Sequence, residues 1–165
     1  MEDRHNNLTV DESVRVWVCP TDTVYGLSAR YNDREAVERI KQIKTGREDR
    51  PFIVLISEFE QLSALGIALS AQQKEFLTKI WPGPVTVVFN RGDNETMAVR
   101  LPDYALLREL INKIGPVIST SANRHGKPPV TSIDEAKEIF GGEVDAYFDG
   151  GELRAEPSVI VKLLR

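Results

Sequence analysis

The sequence predicts an α/β domain built on a mixed sheet, and three observations lead to it. Apolar runs of strand character alternate along the chain with stripes of helical spacing. Several stripes carry start and stop signals of their own. Two strand-like runs end in clusters of hydroxyl side chains, which is where α/β proteins place their sites.

The first strand-like run is Val14–Val18, which alternates like a half-buried strand and is stopped by Cys19-Pro20. Asp33 can cap a helix whose inner positions are Ala36, Val37, Ile40 and Ile43. The wholly apolar run Phe52–Ile56 reads as a strand buried on both faces. Ser70 and Gln73 suit a capping box ahead of Phe76, Leu77 and Ile80. Trp81-Pro82-Gly83-Pro84 is a rigid turn that feeds a strand over Val85–Phe89. In Met97–Leu101 the alternation puts Arg100 on the face opposite Val99, where it is either a surface residue or an anion clamp. Leu106, Leu107, Leu110, Ile111 and Ile114 form a third helical stripe, closed by Gly115. The strand Pro116–Ser119 follows. Ser132 and Glu135 form a second capping-box pair, with Ile133, Ala136, Ile139 and Phe140 inward and Gly141 as the stop. Asp149-Gly150-Gly151 is a turn ahead of the last strand, Val159–Leu163.

Composition narrows the function classes. The 165 residues suit one domain, and 41% hydrophobic content is ordinary for a globular chain. No apolar run approaches the ~20 residues of a membrane span. The polar start, Met1–Asn7, lacks the apolar core of a secretion signal, and residues 1–12 are expected to form a loose tail. With Cys19 the single cysteine, no intrachain disulfide can form, which suits a reducing cytoplasm, and Cys/His zinc clusters are excluded. A net charge of −4 does not argue for nucleic-acid binding. The one candidate basic patch is Lys41, Lys44, Arg47 and Arg50, diluted by Glu48 and Asp49, and a solvated helix end would explain it equally.

Two polar clusters hold the chemistry. Thr21-Asp22-Thr23-Val24-Tyr25-Gly26 follows the first strand, and Ser119-Thr120-Ser121-Ala122-Asn123 ends the strand that begins at Pro116, ahead of Arg124-His125-Gly126-Lys127. Hydroxyls, amides and backbone N–H groups in such loops can hold a phosphate or a carboxylate. Taken singly, each is also a polar turn or a cap. The chain offers no Ser/His/Asp set and no nucleophile elbow, so positioning and charge stabilisation would have to carry any catalysis.

In order, the chain presents Pro20-Thr21-Asp22-Thr23-Val24-Tyr25-Gly26-Leu27, Lys44…Arg50-Pro51-Phe52, Trp81-Pro82-Gly83-Pro84-Val85-Thr86, Val99-Arg100-Leu101-Pro102, Ser119-Thr120-Ser121-Ala122-Asn123 and Pro157-Ser158-Val159-Ile160. With these motifs it resembles the threonylcarbamoyl-AMP synthase family, the YrdC-type domain, from about Val14 onward. The resemblance implies a twisted, largely parallel sheet around a large basic cavity, without the extra C-terminal domain of some relatives. It also implies a reaction in which L-threonine, bicarbonate or CO₂ and ATP give threonylcarbamoyl-AMP and pyrophosphate. Mg²⁺ would arrive with ATP. A separate threonylcarbamoyl transferase would use the product to modify an adenosine of tRNA, and a contact with tRNA is possible.

Matched position by position, the resemblance implies that Thr21, Thr23, Arg100 and Ser119 bind threonine. It places Lys44, Arg47, Arg50, Thr96, Ser121, Asn123 and Ser158 at the nucleotide, with Lys44, Arg47, Ser121 and Asn123 as the catalytic group. The family's Lys-x-Arg motif would put its arginine at Gly46; here it stands one residue later, at Arg47. An RNA-binding module of the same type, or a relative handling another carbamoyl compound, is the alternative.

Overall fold

The computed structural model describes residues 7–44, 52–92 and 94–163. Eight strands form a single sheet in the order β7-β1-β2-β6-β3-β5-β4-β8. In chain order the strands are β1 (Val16–Cys19), β2 (Gly26–Arg30), β3 (Ile53–Leu55), β4 (Val85–Gly92), β5 (Glu95–Arg100), β6 (Val117–Ser121), β7 (Ala146–Tyr147) and β8 (Val159–Lys162). The helices are α1 (Arg34–Lys44), α2 (Gln61–Ala64), α3 (Ala71–Ile80), α4 (Ala105–Ile114) and α5 (Ile133–Phe140).

The sheet is mixed, as expected, but parallel pairing takes a smaller share than the resemblance implies. β1–β7, β3–β5 and β4–β8 are parallel. β1–β2, β2–β6, β3–β6 and β4–β5 are antiparallel. The difference comes from β2, which the sequence reading does not include. It lies between β1 and β6 and runs against both.

The helix ends follow their predicted chemistry. Ser70 and Gln73 close a full capping box on α3. Asp33 Oδ1 accepts from Ala36 N at 3.1 Å at the start of α1. Ser132 caps α5 through Glu135 N at 3.2 Å. The Glu135 carboxylate turns to Thr131 N (2.9 Å), so this second box is only half closed. Phe76, placed inward by its spacing, is 40% exposed, while Leu77 and Trp81 take the buried positions.

Strand register assigns the two faces, because paired residues share one. On one face Val16, Val18, Leu27, Ala29, Val54, Val87, Val99 and Ile118 form an apolar core. Ala36, Ile40 and Ile43 of α1, Leu62 of α2, Leu77 of α3 and Ile133, Ala136 and Phe140 of α5 cover it. On the other face Trp17, Cys19, Leu55 and Val117 pack beneath Leu107, Leu110 and Ile111 of α4. Leu8 and Val10, expected in a loose tail, are buried in this second cluster. Their apolar side chains hold that part of the segment on the fold.

The run Phe52–Ile56 is likewise less deeply buried than its composition suggests. Its strand spans Ile53–Leu55, and Phe52 and Ile53 are half-buried. Beyond the reach of α4, the second face opens into a cavity.

Candidate functional site

The cavity measures about 750 Å³, within the ~300–1,000 Å³ usual for small-molecule sites. Gly26, Ser119, Ser121, Ile53, Thr96, Ala98, Arg100, Thr86, Val88, Ile160 and Lys162 line it. Register puts all of them on one face of the sheet, from β2 across β6, β3, β5 and β4 to β8. Thr21, Thr23, Val24, His125 and Ser158 close it from the loops. Large apolar side chains at these strand positions would fill the space. Glycine, alanine, serine and threonine keep much of it open.

Thr21 and Thr23 are both buried and lie at the end of β1. The Thr21 hydroxyl donates to Val24 O (2.8 Å) and accepts from Thr23 N (3.0 Å). The two hydroxyls are 3.1 Å apart, and with Thr21's proton already given to Val24 O, Thr23 is the donor between them. The turn is therefore held by its own side chains.

Arg100 ends β5 and is 4% exposed. Its Nη2 donates to Asp22 Oδ1 at 2.6 Å, and Asp22 Oδ2 accepts from Asp103 N at 2.9 Å. The Arg100 Nε–H is buried with no hydrogen-bond partner among the described residues. Burial lowers the pKa of this guanidinium from its ordinary value, against the opposing pull of Asp22. Of the two readings open for Arg100, the structure removes the surface one: it is a buried, ion-paired cation at the cavity wall.

Ser119 Oγ accepts from Ser28 Oγ at 3.2 Å, which leaves its own proton to donate. Cys19 Sγ lies 3.9 Å from Ser28 Oγ on the side away from the cavity. Burial pushes the Cys19 thiol up to about 11, so it is an inert structural group.

At the other end of β6 the expected phosphate contacts are arranged differently. Lys44 is 1% exposed, and its Nζ donates to Ser121 O and Asn123 Oδ1, both at 2.7 Å. Ser121 Oγ also donates to Asn123 Oδ1 at 2.5 Å, and Asn123 Nδ2 donates to Lys127 O (2.8 Å) and Arg124 O (3.0 Å). Asn123 thus spends its amide on holding the loop, and among the described residues Ser121 is the member of this trio that lines the cavity. A buried ammonium needs acceptors, and the strand end supplies them.

Ser158 Oγ shares a hydrogen bond of 2.8 Å with Thr86 Oγ1, and both line the cavity with the more exposed Thr96. Arg47 and Arg50 lie outside the described residues. Among the described lining, Arg100 and Lys162 carry formal positive charge, and Asp22 balances Arg100. The described wall is therefore mainly hydroxyl and apolar rather than cationic.

Asp22, Thr86, His125 and Lys162 are site residues that the sequence reading leaves unassigned. The basic stretch after Asn123 signals His125. Thr86 and Lys162 become legible only once β4 and β8 are paired in register.

The family model Sua5/YciO/YrdC, described as "Telomere recombination", matches residues 12–165. A threonylcarbamoyl-AMP synthase of Pyrococcus abyssi is 37% identical over 145 residues, covering 82% of this chain and 43% of that protein. One of Nitrosococcus oceani is 35% identical over 153 residues, covering 86% of this chain and 82% of that protein. The crystal structure of P. abyssi Sua5 complexed with L-threonine superimposes with a TM-score of 0.82 at 34% identity, covering 90% of this chain and 47% of that one. The chain thus spans less than half of the Pyrococcus relative and most of the Nitrosococcus one. Across nearly its whole length, fold and sequence agree that the chain belongs to the Sua5/YciO/YrdC family.

Proposed function

We propose that the chain is an L-threonylcarbamoyladenylate synthase, an AMP-transferring enzyme of the cytoplasm. One observation carries this reading. A buried guanidinium and a pair of buried threonine hydroxyls share a single cavity with the hydroxyls of Ser119, Ser121, Ser158, Thr86 and Thr96. The first group suits a small amino acid, and the second suits phosphate or ribose oxygens. The names of the Pyrococcus and Nitrosococcus relatives support the same assignment.

In this reading the threonine carboxylate sits at Arg100, with Thr21, Thr23 and Ser119 around the rest of the molecule. The free amine adds to CO₂ and loses a proton, giving a carbamate. A carbamate oxygen then attacks the α-phosphorus of ATP, the bond to the β-phosphate oxygen breaks, and pyrophosphate leaves. No step requires a protein nucleophile. The protein's part is to align the two substrates and to stabilise charge.

Ser121, Thr96 and Ser158 line the nucleotide side, and Arg47 and Arg50 are assigned to the phosphates. Lys44 and Asn123 act by holding the Ser121 strand end in place. Mg²⁺ enters on the triphosphate as part of the substrate. A carbamate is labile in water, so a walled cavity prolongs its life. A separate threonylcarbamoyl transferase consumes the adenylate to modify tRNA.

The test is incubation with MgATP, bicarbonate and labelled threonine. The expected result is a labelled adenylate, with pyrophosphate release that requires both threonine and bicarbonate. Release driven by carbamoyl phosphate instead, or RNA retention without any release, overturns the reading in favour of the carbamoyl relative or the RNA-binding module.

A further inference from the structure

Asp22 is a largely buried carboxylate, paired with the cavity-lining Arg100, that the reaction above does not use. It stands between the two hydroxyls assigned to threonine, yet it points at neither. Its Oδ1 accepts a hydrogen bond from Arg100 Nη2 at 2.6 Å across 78 residues of chain. Its Oδ2 takes the Asp103 N–H at 2.9 Å across 81 residues. The two side chains of the ion pair are 5% and 9% exposed. One carboxylate therefore ties the turn after β1 to the end of β5, and these two segments carry Thr21, Thr23 and Arg100.

A guanidinium grips a carboxylate through two parallel N–H bonds only when its plane is held. Arg100 otherwise hangs on a flexible stem, and ordering that stem on binding would cost affinity. The protein holds one edge of the fork at Nη2. The buried Nε–H is left with no acceptor among the described residues, although buried donors are nearly always satisfied. A guanidinium tethered at one nitrogen and unsatisfied at another, in a cavity wall, is arranged for a further anion.

We propose that Asp22 is a positioning residue that presents Arg100 to the carboxylate of the amino-acid substrate. It thereby favours ligands that bear that carboxylate over analogues that lack it. The inference rests on the threonine-binding reading of the cavity. Two other roles would give different results. A carboxylate that merely occupied Arg100 would compete with the substrate, and removing its charge would tighten binding. A purely structural pair would weaken threonine and nucleotide binding together, in step with stability.

The experiment is calorimetric titration of wild type, Asp22→Asn and Asp22→Glu with L-threonine, L-threoninamide and MgATP, alongside thermal melts. Wild type is expected to bind threonine and to reject threoninamide. In Asp22→Asn the threonine Kd should rise about tenfold or more, as for a buried charge pair losing one partner. The preference over threoninamide should shrink, and the MgATP Kd should stay within about twofold of wild type. Asp22→Glu keeps the charge but displaces the fork, and it should lie between the two. It also serves as the test should Asp22→Asn fail to fold. Threonine binding that is unchanged or tighter in the variants overturns the proposal, as does an equal loss for threonine and MgATP. A wild-type protein that binds no threonine sinks the functional reading itself, and the proposal with it.

Discussion

At the scale of single residues, the site depends on buried polar groups that have few partners to spare. Arg100 is the sharpest case. Arg100→Ala should raise the threonine KM by the equivalent of about 2–5 kcal/mol, because a buried charged contact is lost and Asp22 is left uncompensated. Arg100→Lys keeps the charge but not the fork, and it should recover little of this. Steady-state kinetics with threonine and ATP varied separately would check both, and an unchanged threonine dependence would remove Arg100 from the site. Cys19 is the opposite case, a polar atom with no task in the chemistry. Its folded pKa is raised from 9.0 to about 11, chiefly by burial. The folded state thus holds this proton more tightly than the unfolded chain. Its contribution to stability is complete below about pH 9 and fades as pH rises to about 11. Denaturant titrations across that window should show the decline, and Cys19→Ala should flatten it. Alkylating reagents should label Cys19 only after unfolding.

At the scale of elements, the contacts between β2 and β6 and between α1 and β6 shape the cavity wall. Gly26 pairs with Ser121 across the antiparallel strands, with Ser119 its diagonal neighbour on the same face, and a Cβ there would stand 2.4 Å from Ser119 Oγ. The serine can rotate away, so Gly26→Ala should fold with a loss of about 1–3 kcal/mol. It should also weaken threonine binding by moving a hydroxyl assigned to that substrate. A variant with unchanged threonine affinity would take Ser119 out of the pocket. Lys44, in the last turn of α1, secures the end of β6 through Ser121 O and Asn123 Oδ1. Lys44→Ala should cost about 1.5–3 kcal/mol of stability, the range for hydrogen bonds to charged groups, and should slow pyrophosphate release. Loss of stability with release at the wild-type rate would limit Lys44 to a structural role. The helices around these contacts are legible in the sequence, since Ser70 and Gln73, Asp33 and Gly115 mark ends that local chemistry decides. β2 is not legible. Gly26-Leu27-Ser28-Ala29-Arg30 alternates, with Leu27 and Ala29 on the core face, but it holds no β-branched or aromatic residue to mark it as a strand.

At the scale of the molecule, the sheet has one face covered by α1, α2, α3 and α5 except at the edge strand β8, where Val159 is exposed, and one face shared between α4 and the cavity. The opening persists because small side chains line it and because the α4 cluster ends at Leu55 and Val117. A site of this kind gains stability when filled. Saturating threonine and MgATP, each at about 100 times its Kd, should add about 2.7 kcal/mol per independent ligand. For a chain of this size each kcal/mol corresponds to roughly 2–4 °C in Tm. A melt that responds to neither ligand would mean that the cavity holds neither substrate.

By itself, the sequence determined the amphipathic helices, most of the strands, and the hydroxyl clusters at the ends of β1 and β6. These depend on periodicity and capping, which act over a few residues. The membership of the cavity was only partly written there: Thr21, Thr23, Ser119, Ser121, Thr96, Ser158 and Arg100 do meet in it. Tertiary structure alone decided that Arg100 is buried against Asp22, that Lys44 and Asn123 brace the wall, and that Thr86 and Lys162 join it. The reason is that a strand's pattern tells which residues share a face, whereas the pairing of distant strands decides what that face will meet.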